Sequence, residues 1–119
     1  MPNRIELTKS TVEISLSGLE RVLALTKGVT VPYDQIESVE VGLTELPSKW
    51  TLQRVGLYDP VTGRRRGRFD ADSRRYFLDL HRPERALVLR LRPGSRFDVV
   101  AIETSDAERL AGEIRSRRP

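Results

Sequence analysis

The sequence predicts a small, mainly β domain that ends in one α-helix. The chain has 119 residues, which is the usual size of one domain with one hydrophobic core. About seven or eight short runs alternate apolar and polar side chains, which is the spacing of strands with one buried face. Beyond residue 104 the apolar residues recur at helical spacing instead.

The alternation begins near the N-terminus. The apolar positions of the first two predicted strands are Ile5, Leu7, Val12, Ile14 and Leu16. Ser17-Gly18 predicts a turn, and the glycines at positions 18 and 28 favour a strand rather than a short helix over residues 19–26. A β-branched strand is then expected at residues 29–31.

A proline break separates these strands from those that follow. Pro32 fixes its own φ and holds the preceding residue extended, so residues 32–35 predict a turn. Residues 36–43 alternate again and predict a half-exposed antiparallel strand. The pattern loosens over residues 44–67, where the clearest feature is a hairpin loop at residues 59–63 (Asp-Pro-Val-Thr-Gly).

Three more strands are predicted before the helix. Their alternating runs cover residues 76–80, 87–91 and 97–102. Turn residues at 81–85 and 93–95 separate them. We expect each strand to pair with the next along the chain, as in a meander.

The C-terminal helix is expected over residues 106–117, a length of roughly 18 Å. The residues of its apolar face are Ala107, Leu110, Ala111 and Ile114. Ser105, followed three residues later by Glu108, has the form of a capping box. We therefore expect Leu110 and Ile114 to face the core and Ser105 to cap the first turn.

Composition excludes several classes of site. The chain has no Cys and one His, so disulfides, thiolate catalysis and cysteine zinc sites are excluded. His81 falls in a predicted turn, and no partner nucleophile or phosphate-binding loop is recognisable, so we predict no enzyme activity and no cofactor. Asp70-Ala71-Asp72 offers carboxylates to a hard cation, but a turn is the commoner meaning of this pattern, and no metal is predicted.

No segment resembles a membrane span or a signal peptide. The longest apolar runs have four residues, such as 22–25 and 99–102, against the ~20 that a spanning helix needs. The N-terminal residues are not apolar. We expect a cytoplasmic location, with peripheral attachment to the inner membrane face as the alternative.

The densest charge in the sequence is a set of six arginines: Arg64, Arg65, Arg66, Arg68, Arg74 and Arg75. The net charge of +4 is too small by itself to establish a polyanionic partner. If these arginines share one face of a loop, they could bind the phosphates of lipid headgroups, because guanidinium groups match phosphate oxygens. The commoner outcome for a charge run is a solvated hairpin. Nucleic acid is disfavoured, because no aromatic residue is interleaved with residues 64–68.

Trp50 has two interpretations. As the sole Trp of a small domain it could anchor a protein interface from an exposed position. General burial statistics favour a place in the core.

Several segments, in their order, match a known pattern. Residues 28–39 combine a strand, a Pro-Tyr turn and an Ile-x-x-Val strand, and residues 67–69, 76–79 and 86–89 follow before the closing helix. This order resembles the bacterial pleckstrin-homology-like (PH) domains. The resemblance covers roughly residues 11–117, within one domain spanning residues 1–119.

The resemblance implies a β-barrel or split barrel of about seven antiparallel strands in two sheets, with the C-terminal helix plugging one end. It implies binding rather than catalysis. Eukaryotic PH domains that bind phosphoinositides carry Lys and Arg around the first hairpin loop, whereas residues 17–21 here hold one cation beside an acid. We expect a module that binds a protein or peptide, with anionic lipid as the alternative ligand. Exposed sheet edges could also pair between two copies of the chain, so a homo-oligomer is a further expectation that the sequence does not decide.

Overall fold

Nine strands and one C-terminal α-helix make up the described part of the chain, which confirms the mainly β prediction. The computed structural model describes residues 3–16, 28–43, 52–58, 65–71 and 73–118. The predictions that lie outside these ranges are the turn and strand at 17–26, the loop at 59–63, Trp50, Arg64 and the Asp72 member of the Asp70-Ala71-Asp72 candidate.

The first sheet has three antiparallel strands. These are β1 (Asn3–Leu7), β2 (Thr11–Leu16) and β3 (Gly28–Pro32), in that order. Ile5 lies opposite Ile14, which in turn lies opposite Val29, so the apolar positions of the alternation share one face. Thr8 closes the first turn, because its Oγ1 accepts the backbone N–H of Thr11 at 2.9 Å.

The second sheet has six strands in the order β4-β8-β9-β7-β6-β5. Their ranges are β4 (Ile36–Val41), β5 (Leu52–Tyr58), β6 (Arg65–Ala71), β7 (Arg74–Leu80), β8 (Ala86–Leu91) and β9 (Val99–Glu103). A 3-10 turn at Tyr33–Gln35 leads from β3 into β4, as the proline break predicts. The helix α1 covers Ala107–Arg117.

The predicted meander is wrong. β9 lies between β7 and β8, antiparallel to β8 and parallel to β7, with Phe77 opposite Val100. The chain therefore leaves β7, crosses the end of β9 and returns through β8. Glu103, at that end of β9, accepts the backbone N–H groups of His81 and Arg82, each at 2.7 Å. Alternation locates strands, but it carries no information on the order in which they pair.

One face of the six-stranded sheet packs against the three-stranded sheet and α1. The shared core includes Val12, Val31, Val39, Phe77, Leu89, Val100, Leu110 and Ile114. The opposite face forms a second buried cluster, with Phe69, Leu78, Val88 and Ala101 among its members. Residues 76–80 of β7 are consequently buried on both sides of the sheet, as is usual for a central strand.

The predicted β-barrel or split barrel of about seven antiparallel strands in two sheets is confirmed only in part: the described strands form two sheets, but these are not closed into a barrel. Among the described strands, none of the small sheet pairs with any of the large sheet, and β7 and β9 are parallel. α1 lies against β4 and β8 instead of plugging a barrel end. Arg115 of α1 and Arg118, just after the helix, bind the outer edge of β4, so side chains lie where barrel closure would place another strand.

The apolar face of α1 is confirmed, but the predicted capping box is wrong. Ala107, Leu110, Ala111 and Ile114 are all buried. The N-cap is Asp106, so Glu108 occupies the second helical position, from which it does not complete a capping box. Ser105 is exposed, and no side-chain hydrogen bond caps the first turn of α1.

Candidate anion-binding site

The arginines predicted to form one loop patch lie on two strands and on two faces. The structure describes Arg65, Arg66 and Arg68 on β6, and Arg74 and Arg75 on β7. Side chains alternate along a strand, so Arg66, Arg68 and Arg75 lie on the face that carries Phe77. Arg65 and Arg74 lie on the opposite face. The condition set for a single positive patch, that the arginines share one face, is therefore not met by the five described ones.

Arg66 is engaged by a buried acid. Its Nε lies 3.3 Å from Oδ1 of Asp79, which is directly opposite in the register of β6 and β7. The Asp79 side chain is 0% exposed and that of Arg66 is 13% exposed. A buried carboxylate needs such a partner, because an uncompensated charge in the interior is strongly unfavourable. Arg66 is therefore part of the fold rather than part of a surface site.

Arg68 and Arg75 meet a third arginine that the sequence did not single out. A cleft of about 160 Å³ is lined by Arg68, Asp70, Arg75, Arg96 and Phe97. We call it the arginine cleft. Arg68 and Asp70 come from β6, Arg75 from the start of β7, and Arg96 and Phe97 from the loop between β8 and β9. These elements are adjacent because β9 pairs with β7, so the cleft depends on the strand order that alternation did not reveal.

Arg75 is held from two sides. Its Nη2 donates to the carbonyl oxygen of Ser95 at 2.8 Å, and its Nε lies 3.6 Å from Oδ2 of Asp98. The same Asp98 oxygen accepts the backbone N–H of Arg75 at 2.7 Å. These contacts fix the guanidinium before any ligand arrives, which lowers the entropy that binding must remove.

Arg96 is placed by an aromatic ring. Its Cζ lies 5.2 Å from the centroid of Phe97, a cation–π contact. Phe97 is only 3% exposed and lies against Phe77, with centroids 5.4 Å apart. The β8–β9 loop is thus anchored in the core by Phe97 and presents Arg96 beside it.

The electrostatics of the cleft favour an anion. Among the described residues that line it are three guanidinium groups and one carboxylate, that of Asp70. Counting Asp98, which lies against Arg75, still leaves the cations in excess. Arginine keeps its proton at neutral pH and therefore offers hydrogen bonds and charge rather than proton transfer. The arrangement suits binding of a carboxylate or phosphate oxygen.

Arg74 lines a different cleft, of about 330 Å³, on the other side of β7. In the described part of the chain its charged lining residues are Glu37, Arg74, Arg90 and Asp98, so these cations and carboxylates balance. Arg90 also binds Glu40, with Nε to Oε1 at 3.0 Å. This second cleft has no net preference for an anion.

The remaining predicted candidates do not form sites in the described residues. Asp70 and Ala71 end strand β6 rather than forming a turn, and the chain reverses at Ser73, whose φ is 64°. No group of His, Asp and Glu in the described ranges is placed to hold a metal ion. His81 is exposed just after β7, as expected of a turn residue. No helix in the described ranges is long and apolar enough to cross a bilayer.

Sequence reasoning found Arg68 and Arg75 through local charge density but missed Arg96. The only sequence signal for Arg96 is its place between the predicted turn at 93–95 and the predicted strand that begins at Phe97, which is too common a pattern to mark a site. Comparisons with protein-family models, with curated proteins and with solved structures found no match to this chain.

Proposed function

We propose that this chain is a non-catalytic binding module that holds an acidic group of a partner protein in the arginine cleft. The observation that carries the proposal is the convergence of Arg68, Arg75 and Arg96, with Arg75 already oriented by Ser95 and Asp98. The resemblance to bacterial PH-like domains, which implies binding rather than catalysis, belongs to the same proposal and stays a prediction.

A protein ligand is favoured over a membrane surface by the placement of the arginines. A flat bilayer meets one face of a protein, whereas Arg65 and Arg74 lie on the face opposite to Arg68 and Arg75. The gain of about 1 kcal/mol for each cation near an anionic membrane then applies to only part of the set. A concave cleft of about 160 Å³ instead fits one compact acidic group, such as an aspartate or glutamate side chain.

The test is binding of a fluorescent, glycine-spaced aspartate peptide, followed by anisotropy at low and at physiological salt. We expect affinity to fall with salt, and Arg96→Ala to weaken binding about tenfold, the value of one charge-assisted hydrogen bond. Arg82→Ala is the matched control, because Arg82 is also exposed but lies at the other end of β7.

Two results would contradict the proposal. The first is an equal loss in Arg82→Ala and Arg96→Ala, which would mean that overall charge binds the peptide rather than the cleft. The second is the absence of binding by the wild type at low salt. Flotation with anionic vesicles is the parallel measurement for the lipid alternative, and binding to vesicles without binding to the peptide would favour lipid.

A further inference from the structure

The outer edge of β4 is covered by arginine side chains from the end of α1. Arg115 Nη2 donates to the carbonyl oxygen of Val39 at 2.7 Å, and Arg118 Nη1 donates to that of Glu37 at 2.7 Å. Among the described strands, β4 is the last of its sheet and pairs only with β8. The two carbonyl groups therefore point away from β8, toward the open side of this edge.

These two guanidinium groups lie where an added strand would donate its N–H groups. Glu37 and Val39 are two residues apart, the repeat at which a strand presents carbonyls to one neighbour, and Glu37 is the extra residue of a β-bulge between Ile36 and Ser38 in the pairing of β4 with β8. An edge with free groups at this spacing is a template for another strand. In this fold the carbonyl oxygens of Glu37 and Val39 accept from arginine side chains rather than from the backbone of another strand. These side chains can rotate away and leave the oxygens to an added strand.

The charge at this edge selects the kind of strand that fits. Displacing Arg115 and Arg118 frees two guanidinium groups beside the incoming chain. The acids of β4 do not neutralise them, because Glu40 binds Arg90 and Glu37 lies with Arg74 and Arg90 in the balanced cleft. An incoming strand with acidic side chains would pair with the freed arginines.

We infer that the outer edge of β4 is a docking site for an extended acidic segment of a partner protein. The N–H groups of that segment replace the arginine donors at Glu37 and Val39, and its carboxylates pair with Arg115 and Arg118. The mode is addition of a strand to a sheet edge, with charge setting the preference. This surface is distinct from the arginine cleft, since β8 and β9 separate β4 from β7.

The probe is an acetylated peptide of alternating threonine and glutamate, with the glutamine version as its neutral partner. Titrated into the labelled full chain, the glutamate peptide should shift the backbone amide signals of residues 36–41. The glutamine peptide should bind about tenfold more weakly, the effect of losing a charge-assisted contact. In the double variant Arg115→Met/Arg118→Met the two peptides should bind with nearly equal affinity, so the ratio of their dissociation constants should be close to one.

A second variant tests backbone pairing directly. Glu37→Pro places a residue without an N–H at the β-bulge of this edge strand, a position where proline is tolerated. The preceding Ile36, with φ −87° and ψ 116°, is already close to the conformation that a following proline requires. We expect Glu37→Pro to abolish peptide binding and Glu37→Ala to retain it, with both variants melting near the wild-type temperature.

Three results would overturn the inference. One is equal binding by Glu37→Pro and Glu37→Ala. Another is a set of shifts confined to residues 68, 75 and 92–98, which would leave the arginine cleft as the peptide site and the proposed function intact. The third is self-association of the wild type through residues 36–41, which would make a second copy of this chain the occupant.

Discussion

The buried pair of Arg66 and Asp79 is the residue-scale feature with the largest expected effect on stability. Arg66→Met removes the ion-pair partner at 3.3 Å from the buried Asp79 carboxylate, and breaking a buried pair in this way costs about 3–5 kcal/mol. Arg74→Met is the control, because Arg74 is exposed on the neighbouring strand. The measurement is the free energy of unfolding by urea at pH 7. A loss below about 1 kcal/mol in Arg66→Met would show that the pair does not stabilise the fold.

The same pair also yields a second prediction, by a double substitution. Arg66→Met/Asp79→Leu removes both charges together, and buried ion pairs are often replaced by apolar residues at little cost. We expect the double variant to recover most of the stability that Arg66→Met loses. If the double variant is less stable than the single one, then other contacts of the two side chains, rather than their mutual charge, hold this region together.

Sequence reasoning could not place these side chains. Asp79 sits at a polar position of an alternating run, which predicts a solvated face, yet both faces of β7 are covered. Arg66 can be identified as the partner of Asp79 only once the register of β6 and β7 is known. Local charge density marked Arg66 as a candidate for binding, whereas the register makes it a counter-ion within the fold.

At the scale of elements, α1 was the most predictable part of the chain, because four apolar positions and a change of period define it. Leu110 is 5% exposed and faces the core. Leu110→Ala should cost about 2–5 kcal/mol, and Leu110→Asp, which buries a charge, should unfold the domain. Thermal melting followed by circular dichroism measures both. An unchanged melting temperature in Leu110→Asp would mean that α1 does not complete the core.

The start of the same helix carries a smaller prediction. Ser105 makes no capping contact and is exposed, so Ser105→Ala should change stability by less than about 0.5 kcal/mol rather than by the ~1 kcal/mol of a lost cap. Asp106 binds Arg109 at 3.1 Å, and this hydrogen bond raises the pKa of the Arg109 guanidinium. If urea unfolding shows that Ser105→Ala lowers the free energy of unfolding by about 1 kcal/mol, Ser105 does cap the helix and the capping-box prediction is correct.

Strand β6 shows why some elements escape a pattern search. Its apolar side chains are limited to Phe69 and Ala71, and the rest of the strand is arginine, glycine and aspartate. Gly67, with φ 118°, interrupts the regular backbone without a steric penalty. This composition predicts a charged loop. The segment is nevertheless extended, because it pairs with β5 on one side and β7 on the other.

At the scale of the whole molecule, the order of strands was the information that the sequence lacked. β7, β8 and β9 are each buried on both faces, so alternation cannot say which of them is central. The crossover from β7 to β8 is fixed instead by backbone contacts to Glu103, a residue more than twenty positions away along the chain. The arginine cleft also depends on this strand order. The β8–β9 loop, which carries Arg96, lies beside β7 only because β9 pairs with β7.

Amide hydrogen exchange separates the observed strand order from a meander. In a meander β9 would be an edge strand, and every second amide would face solvent and exchange quickly. Here β9 pairs with β8 on one side and, over residues 99–102, with β7 on the other, so the consecutive amides of residues 99–102 should all be protected. β1, an edge strand among those described, should show the alternating pattern and serves as the internal control. Fast exchange at every second residue of β9 would place that strand at an edge, and would separate the β8–β9 loop, with Arg96 and Phe97, from Arg68 and Arg75.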